Sequence, residues 1–133
     1  MSRKLTTNRA GFTLVEIMIV VAIIALLAAI AVPGFLRARK RSQASKILND
    51  LRMISGAIDQ YAIENSKQST DPVLVVDWTK YIKKDTQLYD TGADLFGNPY
   101  GDQIVDSLPK VPQVTYEALS DVADNTFWSP YNQ

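Results

Sequence analysis

Apolar and polar positions along the chain follow two regimes that meet near residue 37. From Ile17 to Leu36, twenty consecutive residues carry no charge. As a helix rising ~1.5 Å per residue, a run of that length spans ~30 Å, the thickness of a bilayer's hydrocarbon core. Downstream, Ala44, Ile47, Leu48, Leu51, Ile54, Ile58, Tyr61 and Ala62 recur at three- and four-residue spacing. That spacing lays one apolar stripe along a helix, with Asp50, Arg52, Asp59, Gln60 and Glu64 mostly off it. Pro33 has no amide proton, and with Gly34 it marks a place where a helix bends, loosens or stops. The stripe beyond it favours continuation, so one helix is expected from about residue 13 to 65, its second half packed on a soluble head.

After a polar loop from Asn65 to Pro72, the segment Pro72-Val73-Leu74-Val75-Val76 reads as a short strand. Asp77 then reads as the N-cap of a helix over 78–84, with Trp78, Tyr81 and Ile82 on one face. Asp90 to Asp94 is expected to be a turn or loop. Gly97-Asn98-Pro99-Tyr100 has the chemistry of a tight connection, because Gly97 permits positive φ and Pro99 holds Asn98 extended. Leu95-Phe96 and Gln103-Ile104-Val105 would pair across it as small antiparallel strands. A short amphipathic helix is expected from near Thr115, carrying Tyr116, Leu119 and Val122. Phe127, Trp128 and Tyr131 would close the sheet against the long helix. The fold class is therefore α+β: a long N-terminal α-helix, transmembrane in its first half, on a small antiparallel sheet.

Charge sharpens this division. Arg3, Lys4 and Arg9 precede the apolar run, and Arg37, Arg39, Lys40 and Arg41 follow it. Beyond residue 41 there are seven basic and thirteen acidic residues, a net of −6. An acidic head of this kind argues against nonspecific nucleic-acid binding. The two basic clusters leave membrane orientation nearly balanced on charge alone, and the second reads as a solvated helix face that touches lipid head groups. The chain has no histidine and no cysteine. Ser–His and Cys–His catalysis are thereby excluded, and no enzymatic activity is expected.

Glu16 stands just inside the start of the apolar run, where an unpaired carboxylate is costly, roughly 2.5–3.5 kcal/mol near the centre of a span. A cleaved secretory signal does not fit, since its apolar region is about 7–15 residues with the small-residue site after it. Here Ala10-Gly11 comes before the run. A plain single-pass anchor fits the length, with Glu16 snorkelling to the interface, and a buried core helix would need no basic leader.

Gly11-Phe12-Thr13-Leu14-Val15-Glu16, followed by this run and by Pro33, resembles the prepilin signature shared by type IV pilins and the pseudopilins of type II secretion systems. The resemblance implies cleavage after Gly11 by a prepilin peptidase, N-methylation of the new terminal residue Phe12, and a helix kink at Pro33-Gly34. It divides the chain into a leader (1–11), a transmembrane and filament-core helix (12–36), an amphipathic continuation (37–65) and an α+β head (66–133). It further implies a leader in the cytoplasm, a span in the inner membrane and a periplasmic head. The implied partners are the peptidase/methylase, identical subunits and minor pseudopilins, the inner-membrane assembly platform and membrane lipid. Glu16 lies one turn from Phe12, so its carboxylate is positioned to pair with the Phe12 ammonium of a neighbouring subunit and set their stagger.

Asp94-Leu95-Phe96-Gly97-Asn98-Pro99-Tyr100 is similar to a segment of major pseudopilins, which favours a secretion filament over a pilus. The missing cysteines depart from the C-terminal disulfide of many type IV pilins. Major pseudopilins bind calcium in a C-terminal loop, and Asp121, Asp124 and Asn125 are the candidate ligands here. They offer three oxygens where calcium takes six to eight, and the family's loop pattern is not recognisable, so no cofactor is the primary expectation. The alternatives are a type IV pilin serving adhesion, motility or DNA uptake, and a plain membrane-anchored periplasmic protein.

Overall fold

The computed structural model describes residue 2 and residues 11–133. The elements in chain order are α1 (Leu14–Glu64), β1 (Pro72–Val73), α2 (Val75–Trp78) with a 3-10 turn over Thr79–Tyr81, α3 (Gln87–Thr91), β2 (Gln103–Ile104), α4 (Gln113–Ala118) and α5 (Asn125–Trp128). By packing, the chain divides into two compact units between Leu36 and Arg37. The basic leader residues Arg3, Lys4 and Arg9 lie outside the described residues.

In the first unit Gly11, Phe12 and Thr13 are non-helical and α1 begins at Leu14. Every side chain from Gly11 to Leu36 is exposed. Helix α1 runs through Pro33 without a break, so Pro33-Gly34 does not end it. The Ala29 carbonyl forgoes its usual donor there, because proline has none.

The second unit holds the core. Ala44, Ile47, Leu51, Ile54, Ala57 and Ile58 of α1 are buried, together with Val73, Trp78, Ile82, Leu88, Tyr100, Val105, Val111, Leu119, Ala123, Trp128 and Tyr131. Leu48, Tyr61, Ala62 and Phe127 pack at its margin, so the stripe and the C-terminal aromatics serve as core. Asp50, expected off the stripe, is instead 6% exposed and sits on the buried face, three residues from Ile47 and four from Ile54.

The sheet is two-stranded and antiparallel, with Pro72 opposite Ile104 and Val73 opposite Gln103. This differs from the expected pairing of Leu95-Phe96 with Gln103–Val105. Asp94 draws the Leu95–Asn98 backbone into a turn, leaving a single bridge between Ala93 and Pro99. Gln103 and Ile104 instead reach back to the strand after the polar loop. The first strand is also shorter than expected, because helix starts at Val75. Asp77 is the third residue of α2 and not an N-cap; its carboxylate accepts from the Leu74 N–H at 3.3 Å.

Helix α3 occupies part of the expected loop. Thr86 caps it, its hydroxyl accepting from the Tyr89 N–H at 3.2 Å, and Gly92 ends it at φ 63°. A β-carbon at Gly92 would come within 2.6 Å of Val75 Cγ1. Only glycine meets both the left-handed backbone and that close approach without strain.

Candidate functional site

Two places carry the residues singled out in the sequence. At the first, the Gly11–Phe12 peptide link lies in exposed, non-helical chain immediately before α1. Among the described residues, none beyond its chain neighbours would come within 4 Å of a β-carbon at Gly11, and Phe12 is 85% exposed. Thr13 forms the helix entry. Its carbonyl accepts the first helical bond, from the Ile17 N–H at 3.3 Å. Its hydroxyl accepts from the Glu16 N–H, and Glu16 Oε2 accepts from the Thr13 N–H, both at 3.2 Å. This reciprocal pair is a capping box, which satisfies two amide protons a helix start leaves orphaned. The positive end of the helix dipole also favours a carboxylate there. Glu16 Oε1 has no hydrogen-bond partner among the described residues. Thr13 is not among the residues expected at this site, although Thr-x-x-Glu before an apolar run is its signature.

At the second place each of the three candidate metal ligands has a protein partner of its own. Asp121 Oδ2 is 2.9 Å from Lys40 Nζ, and this pair holds the Asp121 carboxyl below its ordinary value, helped by the nearby Arg37 charge. Asp124 caps α5, Oδ1 accepting from the Phe127 N–H at 2.9 Å. Asn125 Oδ1 accepts from the Tyr116 hydroxyl at 2.8 Å. Among the described residues no group of three acidic, histidine or cysteine side chains is placed to hold a metal.

Within the second unit the Asp94–Tyr100 segment is built around buried carboxylates. Asp94, fully buried, accepts from the N–H groups of Phe96 at 2.9 Å and Asn98 at 3.0 Å, and from the Thr115 hydroxyl. Asn98 Nδ2 donates to the same Thr115 oxygen at 2.8 Å. The Tyr100 hydroxyl donates to Asp50 Oδ2 at 3.3 Å. Burial raises the Asp50 carboxyl above its ordinary value against the opposing Tyr100 bond and Lys46 charge. Burial, followed by the Asp50 and Asp94 charges, pushes the Tyr100 phenol upward as well. These groups hold a turn together.

An apolar helix long enough to cross a membrane, entered through an exposed Gly-Phe and a Thr–Glu cap, defines the class of chains that carry the prepilin-type N-terminal motif. The family described as "Prokaryotic N-terminal methylation motif" matches residues 6–32. Type II secretion system core protein G of Klebsiella pneumoniae is 38% identical over 63 residues, 47% of this chain and 45% of that protein. The Pseudomonas aeruginosa protein of the same name is 35% identical over 102 residues, covering 70% of this chain and 72% of the relative. Type IV major fimbrial protein FimA of Dichelobacter nodosus is 40% identical over 70 residues, 53% of this chain and 42% of that protein. The match thus spans under half of some curated relatives and over two thirds of others. No solved structure matches the chain. The chain belongs to the type II secretion system core protein G family.

Proposed function

We propose that the chain is a structural subunit of a periplasmic pseudopilus, stored in the inner membrane and assembled into a helical filament that drives protein export by a type II secretion system. A prepilin peptidase cuts between Gly11 and Phe12 and methylates the new amino terminus. The 12–36 helix then leaves lipid for the filament core, where neighbouring subunits cover its apolar side chains, and the head faces outward. No catalysis by this chain is involved. The observation that carries the reading is the exposed Gly11–Phe12–Thr13 segment feeding into a capped helix whose residues Ile17 to Leu36 carry no charge.

Glu16 has two roles in this scheme. Oε2 closes the capping box, and Oε1 is free to meet the Phe12 ammonium of the next subunit. In a dry filament core that pairing is strong, because leaving either charge alone is costly. Glu16→Gln keeps a capping-box side chain but removes the charge, whereas Thr13→Val removes the hydroxyl and keeps the charge. Intact-mass measurement of membrane-extracted protein is expected to show loss of residues 1–11 and gain of one methyl group. Filament yield by electron microscopy is expected to collapse for Glu16→Gln and to persist, reduced, for Thr13→Val. Uncut chain, or Glu16→Gln filaments in wild-type amount, would defeat the proposal.

The likeness to the Dichelobacter nodosus fimbrial protein supports a second reading, a pilus pilin. It predicts filaments outside the cell at native expression, where the pseudopilus reading predicts none.

A further inference from the structure

In the C-terminal loop, two buried apolar side chains, Leu119 and Ala123, anchor the turn between α4 and α5. The Val122 and Ala123 N–H groups both donate to the Leu119 carbonyl, at 3.0 and 2.9 Å. Asp121 stands at the exposed crest between these anchors, with its carboxylate on the Lys40 ammonium of α1, eighty-one residues away in sequence. Arg37 and Arg41 line the same recess beside Asp121 and Val122. A divalent cation approaching Asp121 would meet three basic side chains around one carboxylate, and like charges repel it. One oxygen of each of the other two candidates is engaged too, Asp124 Oδ1 by the α5 amide and Asn125 Oδ1 by the Tyr116 hydroxyl.

We propose that this loop is closed by an internal cation, the Lys40 ammonium, which does the charge-neutralising work of a bound metal and leaves the subunit independent of calcium. The physical consequence is a loop tied to α1 by an exposed ion pair. Its order then responds to ionic strength and not to chelators. The proposal concerns the folded head and holds whichever filament the chain enters.

Limited proteolysis of the full chain in detergent micelles tests it, reading cleavage within residues 119–126 by mass spectrometry. The wild type is expected to be cut at equal rates in millimolar calcium chloride and in chelator. Cutting is expected to quicken toward about 1 M sodium chloride, where the screening length falls to ~3 Å. Lys40→Gln and Asp121→Asn should each raise the rate about two- to fivefold, the range an exposed pair supports. The double variant should be no faster than either single one, because both remove the same interaction. Lys40 is half-buried and Asp121 exposed, and neither belongs to the core cluster, so these variants keep the core intact. Protection of the wild type by calcium, an unchanged rate in Lys40→Gln, or additive effects in the double variant would each overturn the proposal.

Discussion

Glu16 and Asp50 are carboxylates among apolar neighbours, and each is tolerated for a different reason. Glu16 sits at a helix start, where the Thr13 amide and the dipole compensate it. Asp50 is in the core with the Tyr100 hydroxyl as its hydrogen-bond partner, and burial outweighs that help, so its folded-state pKa is raised from 3.8. A raised carboxyl binds its proton more tightly when folded, so its ionisation penalises folding above the folded-state pKa, and the penalty fades as pH falls toward the unfolded value. Asp50→Asn is therefore expected to raise the melting temperature at pH 7, with the gain disappearing below about pH 4. Thermal melts of the two proteins across that range would check it. The two buried tryptophans offer a second contrast. Trp78 Nε1 donates to the Gly101 carbonyl at 3.2 Å, whereas Trp128 Nε1 is buried with no hydrogen-bond partner among the described residues. Trp78→Phe should cost about 1 kcal/mol more than Trp128→Phe in denaturant unfolding, the worth of one hydrogen bond.

At the scale of elements, short helices and a two-residue-per-strand sheet have little stability of their own. They stand because caps and turns hold their ends. Gly92 ends α3 at φ 63° against Val75, while Gly97 has φ 83° with open space around it. Alanine at either position meets the left-handed backbone penalty of ~1–2 kcal/mol, and at Gly92 it also strikes Val75. Gly92→Ala should therefore be the more destabilising by about 1 kcal/mol or more, as urea midpoints of the two variants would show. Asp94 organises its turn from within, and Asp94→Ala would orphan two amides and the Thr115 hydroxyl. A loss of at least about 3 kcal/mol is expected, given bonds to a charged group of ~1.5–3 kcal/mol each, measurable by the same unfolding.

For the whole molecule, the division at Leu36–Arg37 separates residues that bury nothing from those that build a core. No residue from 11 to 36 is buried, and every member of the apolar cluster lies between Ala44 and Tyr131. A chain of residues 37–133 is thus expected to be soluble and to unfold in one cooperative transition by circular dichroism. Failure of that fragment to fold would mean the first unit contributes stability its exposed side chains give no sign of. The full chain should stay with membranes through alkaline washing.

Much of this was legible in local pattern. An uncharged run and a helical stripe are short-range features whose physics acts within one or two turns of helix, so sequence alone determined α1 and its apolar first half; the Thr13–Glu16 cap is equally local but emerges only with the structure. Turn chemistry likewise marked Gly97 and Pro99. Tertiary structure decided what depends on residues far apart in the chain. Val73 pairs with Gln103 and not with its neighbours, Asp50 is buried because Tyr100 arrives from fifty residues away, and Asp121 meets Lys40 across eighty-one. The exposed oxygens of the C-terminal loop looked available in one dimension. Folding placed a lysine, a helix amide and a tyrosine hydroxyl on them, because partner choice depends on which groups packing brings within 3 Å or so.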